Sequence, residues 1–132
     1  MRILGIDPGL NITGYGLIES KDNRFILIEA GIIKPKNICK VSSRLQEIFQ
    51  TLLKLISDTE PQAIVLEKLY SHYRHPVTAC LLGHARGVIC LASSLKGIDL
   101  FEYSVTRIKK AVCGQGNASK YQVQRMVQNT FG

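Results

Sequence analysis

The chain has 132 residues, 45% hydrophobic and 20% charged, with a mean hydropathy of +0.07, which reads as one domain able to bury a core without disulfide or metal staples. No apolar stretch approaches the roughly 20 residues of a membrane span, and no signal-peptide pattern precedes the first strand. Cys39, Cys80, Cys90 and Cys113 are too scattered for a zinc cluster or disulfide framework, so reduced, structural cysteines in a cytoplasmic protein are expected.

Residues 2–7 are apolar and stop at Asp7-Pro8-Gly9, a strand closed by a turn. Residues 13–19 and 25–33 read as the next two strands, with Asp22-Asn23 as the turn between them, and the short connections predict an antiparallel meander. Leu45, Ile48, Phe49, Leu52, Leu53 and Ile56 follow helical spacing, which predicts an amphipathic helix over 42–57, closed by Pro61. The apolar run within 63–67 predicts a central strand buried on both faces and paired in parallel. A long helix rich in small residues follows over 76–95, with Pro76 in its first turn. A fifth strand over 98–103 and two shorter helices near 105–112 and 119–130 complete the chain, the helices separated by Gly114-Gln115-Gly116-Asn117. This order predicts an α/β domain: a five-stranded mixed sheet, three antiparallel strands then two parallel, flanked by helices.

Asp7 closes the run Ile3-Leu4-Gly5-Ile6, and Glu67 closes Ala63-Ile64-Val65-Leu66. A carboxylate ending a buried strand is desolvated at a cost that only a partner offsets. Neighbouring strands lie about 5 Å apart, so two such acids at matching heights can share a metal ion. Alone, Asp7 also reads as a solvated hairpin residue, and Glu67 as a loop cap. The net charge of +7 points to a polyanionic substrate, and the excess is uneven. From Phe101 to Gly132, Arg107, Lys109, Lys110, Lys120 and Arg125 face a single acid, Glu102. Basic charge near loops favours nucleic acid over a membrane surface, with a merely solvated basic face as the competing reading. Arg86, inside an apolar helix, calls for a partner acid or an interface.

Gly5-Ile6-Asp7-Pro8-Gly9-Leu10 with Thr13-Gly14-Tyr15-Gly16 is the sharpest motif. It is followed in order by Glu67, Leu82-Gly83-His84-Ala85-Arg86-Gly87-Val88, Phe101-Glu102-Tyr103, and Ile108-Lys109-Lys110-Ala111-Val112 through Lys120-Tyr121-Gln122-Val123. This order resembles the RuvC-type Holliday junction resolvases of the ribonuclease-H-like superfamily along the whole chain. The resemblance implies a homodimeric, magnesium-dependent endonuclease that cuts four-way DNA junctions in recombination and repair, with a branch-migration complex as partner. It implies that Asp7 and Glu67 are catalytic, as the first two of four carboxylates that together hold two magnesium ions. It places Tyr70, three residues after Glu67, in stacking at the junction centre, and Lys109 and Lys120 on DNA phosphate. The small-residue helix becomes the dimer contact. Arg74, in the basic and aromatic run Ser71-His72-Tyr73-Arg74-His75, reads as a further phosphate contact. So does Gly116, whose glycine-rich turn leads into a helix and offers backbone N–H groups. An exposed loop tyrosine, solvated lysines and helix packing within the monomer are the plainer alternatives.

The chain departs from the family in one respect. The family's other two acids sit on a helix beyond the segment matching Val123–Gly132, and Asp58, Glu60, Asp99 and Glu102 stand in the wrong places to replace them. Glu102 reads instead as an ion-pair or edge-strand residue. The expectation is a single nuclease domain over 1–132, truncated at its C-terminus and carrying half a metal site. The alternative is a catalytically incomplete module that binds branched DNA. A nucleotide-binding domain of the actin and sugar-kinase type shares the acid-then-glycine loop but needs a second lobe.

Overall fold

The computed structural model describes residues 1–36, 40–69 and 75–132. Tyr70 and Arg74, both expected to contact DNA, and Cys39 lie outside the described residues. Strand β1 (Arg2–Asp7) pairs antiparallel with β2 (Thr13–Lys21), and β2 with β3 (Arg24–Ile33). Asp22 and Asn23 both take positive φ, 51° and 58°, the conformation of a two-residue hairpin turn that follows the strand twist. The turn carries the ladder out to the Lys21–Arg24 pair, past the expected strand end at residue 19. Polar Ser20 and Lys21 look like loop residues, but the hairpin holds them in register.

Helix α1 (Val41–Thr59) ends at Glu60, a left-handed C-cap, with Pro61 just beyond it. Strand β4 (Ala63–Glu67) then enters the sheet beside β1, parallel to it, in a register that runs from Ile3–Ala63 to Ile6–Leu66. Helix α2 (Pro76–Leu95) returns the chain to β5 (Asp99–Tyr103), parallel to β4, and α3 (Val105–Cys113) and α4 (Lys120–Phe131) follow. The sheet order is β3-β2-β1-β4-β5, the mixed arrangement the sequence predicts.

The pleat gives the sheet two unlike faces. Leu4, Ile6, Ile64 and Leu66 join Ile48, Leu52, Ile56, Ile89 and Ala92 in a core under α1 and α2. On the other face Ile3, Gly5 and Val65 line an open apolar groove of about 590 Å³, partly covered by Ile108 and Val112 of α3 and Val127 and Phe131 of α4. Neither α3 nor α4 has a fully buried residue. This thin second layer corrects the expectation that β4 is buried on both faces: Val65 stays partly exposed.

Two other expectations change. Helix α2 is in fact long and apolar enough, by length and composition, to cross a membrane. It packs on α1 and β5, and it carries the buried Arg86 within its inward face. Cys80 and Cys90 are free and exposed on α2, so they are not core residues.

Candidate metal centre and nucleic-acid interface

Asp7 and Glu67 are the last residues of β1 and β4, one step beyond the paired Ile6 and Leu66. They therefore stand at the same height on neighbouring parallel strands. Alternation along each strand puts both on the groove face, with Ile3, Gly5 and Val65. Asp7 is flanked on its other side by Gly14 of β2, where an added Cβ would lie 3.7 Å from the Cβ of Asp7. The glycine leaves that flank of the carboxylate open.

The loop after Asp7 is fixed from within. Thr13, fully buried, donates its hydroxyl to the Gly9 carbonyl at 2.7 Å and accepts from the Gly9 N–H at 3.2 Å. A Cβ on Gly9 would fall 2.1 Å from the Ile12 carbonyl oxygen, so this turn closes only around glycine. Arg44 of α1 donates from Nη1 to Asn11 Oδ1 at 2.8 Å and ties the loop to the helix. Sequence reasoning missed this brace, because Arg44 has no marker beyond its place in the first turn of α1.

The two acids act on each other. Protein packed around the end of β4 and the negative charge of Asp7 raise the Glu67 carboxyl above its ordinary pKa, while Lys109 and Arg86 pull it back down. Glu67 keeps contact with solvent, so its desolvation is partial. Two hard oxygen donors that repel each other across adjacent strands suit a magnesium-like ion. Among the described residues no group of three or more His, Cys, Asp or Glu gathers at one point, so the site holds this pair of acids.

Helix α3 carries Lys109 to the neighbourhood of Glu67. Ser104 caps that helix, accepting from Arg107 N at 3.3 Å, and Ile108 and Val112 turn toward the sheet groove. Their neighbour Lys109 is left within electrostatic reach of Glu67. Arg86 also finds the acid the sequence calls for: its guanidinium pairs with the Glu102 carboxylate and donates to the Glu67 backbone carbonyl. Asp58 is likewise engaged elsewhere, with Lys54 at 2.6 Å.

Lys120 opens α4, whose first turn is closed by a reciprocal pair of bonds between Ser119 and Gln122. Gly114 is the left-handed C-cap of α3, with φ 79°. A Cβ on Gly116 would stand 2.6 Å from Thr106 Cγ2 and 3.3 Å from the Thr106 carbonyl. The glycines of this turn thus have packing reasons of their own, independent of any phosphate.

The family model described as "Crossover junction endodeoxyribonuclease RuvC" matches residues 3–131. The chain belongs to the RuvC family. The crossover junction endodeoxyribonuclease RuvC of Rhodopirellula baltica is 46% identical over 126 residues, which are 96% of this chain and 71% of that protein. The protein of the same description from Alkaliphilus metalliredigens is 41% identical over 128 residues, covering 97% and 77% of the two chains. Among solved structures, the RuvC of T. thermophilus in complex with Holliday junction substrate aligns over 100% of this chain and 80% of that one, with a TM-score of 0.92 and 27% identity. The yeast mitochondrial Holliday junction resolvase Ydc2, 15% identical, shares the fold with a TM-score of 0.70 over 96% of this chain and 60% of its own. The ribonuclease-H-like sheet expected of a RuvC chain is therefore present, with Asp7 and Glu67 at the ends of its central strand β1 and the neighbouring β4.

Proposed function

We propose that this RuvC-family chain is a structure-specific DNA endonuclease that resolves four-way junctions by magnesium-dependent phosphodiester hydrolysis. The observation that carries this reading is the pair of strand-end acids, Asp7 beside Glu67, with the Lys109 charge acting on the same spot. The acids provide hard oxygen ligands, and Lys109 meets the phosphate that the ligands alone would repel. Asp7 and Glu67 would hold magnesium, two ions in a complete site, and the bound metal would supply Lewis acidity for activating a water and steadying the leaving oxygen. Lys120 and Tyr70 belong to the DNA-contacting set of this reading on family likeness, and Arg74 and Gly116 on their own sequence setting, a basic and aromatic run and a glycine-rich turn before a helix.

A second copy of the chain completes the enzyme in this reading, since a four-way junction is cut on two strands. Helix α2 supports that role with exposed Val77, Leu91 and Leu95, and with open space where side chains on Gly83 and Gly87 would stand. Light scattering checks it: Leu91→Glu is expected to give a monomer from a dimeric parent, and a parent that is itself monomeric contradicts it.

A synthetic four-way junction incubated with magnesium tests the activity. Paired nicks that disappear in Asp7→Asn, with junction binding retained, are the expected result; equal cutting by Asp7→Asn contradicts it. A second reading, a branched-DNA-binding module without cleavage, rests on the basic charge of the chain, net +7. It predicts junction binding in preference to duplex, with both strands intact at every magnesium concentration.

A further inference from the structure

We infer that Arg86 is a positioning residue for the metal-binding carboxylate of Glu67, acting through the main chain and not on the substrate. The inference rests on the shared-ion reading of Asp7 and Glu67. Arg86 sits on α2, on the sheet face opposite the two acids, and its side chain is only 11% exposed. From there Nη1 donates to the Glu67 carbonyl oxygen and Nη2 to Glu102 Oε1.

The place of these bonds is what gives them meaning. The described β1–β4 register ends at Ile6 and Leu66, so the peptide of Glu67 lies at the edge of that ladder. On the β5 side, Lys68 N donates to the Tyr103 carbonyl at 2.8 Å, which fixes the chain just after the acid. Arg86 fixes the carbonyl of Glu67 itself. Glu102, the second partner, lies two residues before Ser104, the cap of the helix that carries Lys109. One guanidinium thus spans the strand end that holds the anionic ligand and the strand that leads to the cationic side of the site. Only a planar fork with several donors reaches both partners at once; a lysine ammonium at the same position is a single point of attachment.

A buried ion pair kept for stability alone gains little over apolar packing, and nothing in that role requires the backbone of a metal-ligating residue as a partner. Groups that hold first ligands in place typically change metal affinity by about 10- to 100-fold when removed. The effect of Arg86 belongs on metal binding, with junction binding in the absence of metal left alone.

The test is Mn2+ binding to the full chain without DNA, read from the electron paramagnetic resonance signal of free Mn2+, for the parent, Arg86→Lys, Glu102→Gln and Asp7→Asn. Arg86→Lys is expected to weaken Mn2+ binding about ten-fold. Glu102→Gln, which changes a partly exposed side chain and keeps an oxygen to accept from Arg86, is expected to weaken it by a smaller factor. Junction affinity in EDTA should stay within about two-fold for both, the margin between a local effect and general unfolding. Parent-like Mn2+ affinity in Arg86→Lys and Glu102→Gln, alongside loss in Asp7→Asn, overturns the positioning role and leaves the shared-ion site standing. Parent-like Mn2+ affinity in Asp7→Asn removes the shared ion and the positioning role together.

Discussion

Glu67 is strained electrostatically in the absence of a cation, and the strain has a sign that can be read from stability. Its pKa in the folded chain lies above the ordinary 4.5, chiefly through desolvation and then through Asp7. Between the unfolded and folded values the native state binds more protons than the unfolded chain, so stability falls as pH rises through that window. Below it the penalty vanishes, and above it the penalty is complete. Glu67→Gln is therefore expected to stabilise the metal-free protein at pH 7, with the gain shrinking as pH falls toward 4.5 and gone below it. Denaturant midpoints at the two ends of that range check it, and a pH-independent loss of stability in the variant is the opposite outcome. Asp7 and Glu67 were legible as a pair because each interrupts an apolar run at its end. The Arg86–Glu102 pair was legible by half: a cation in an apolar helix demands an acid, but which acid depends on α2 crossing β5, a tertiary fact with no sequence period.

Secondary elements were the most legible level, because each carries its own periodicity or punctuation. All nine elements over the described residues fall within a few positions of expectation, and the two-residue misses, at the ends of β2 and α1, occur where polar residues continue an ordered element. Thr59 ends α1 two residues late for this reason, with its hydroxyl bonded back to the Leu55 carbonyl at 2.7 Å. The half-open state of β4 escaped because an apolar run reports the strand and not the thickness of the layer above it. That thin layer makes local capping matter in α4, which has no fully buried residue to hold it. Ser119 accepts from Gln122 N at 3.2 Å while Gln122 reaches back to Ser119 N at 2.7 Å. Ser119→Ala should lower stability by about 1 kcal/mol, measured by urea unfolding. No change in the midpoint means that sheet contacts alone hold α4.

At the scale of the whole molecule, charge and shape point the same way. A net +7 promotes association with DNA of any sequence, and the sheet concentrates two carboxylates at one end of this basic body. Most of the binding energy for nucleic acid is then electrostatic and falls as salt rises. If Lys109 meets a phosphate, Lys109→Ala should reduce the slope of log affinity against log salt by about one unit. Titrations of a labelled junction over a range of salt concentrations measure it, and an unchanged slope assigns Lys109 to the acids alone. The DNA contacts proposed for Tyr70 and Arg74 have no counterpart in the described structure, and sequence is the whole basis for them.

In the proposed site Asp7 and Glu67 hold one divalent ion between adjacent parallel strands. Anomalous diffraction from crystals soaked in Mn2+ looks at that ion directly. A peak is expected on the groove face within about 2.5 Å of an oxygen from each carboxylate. A peak that touches one carboxylate only, or none at the strand ends of a well-ordered crystal, contradicts it.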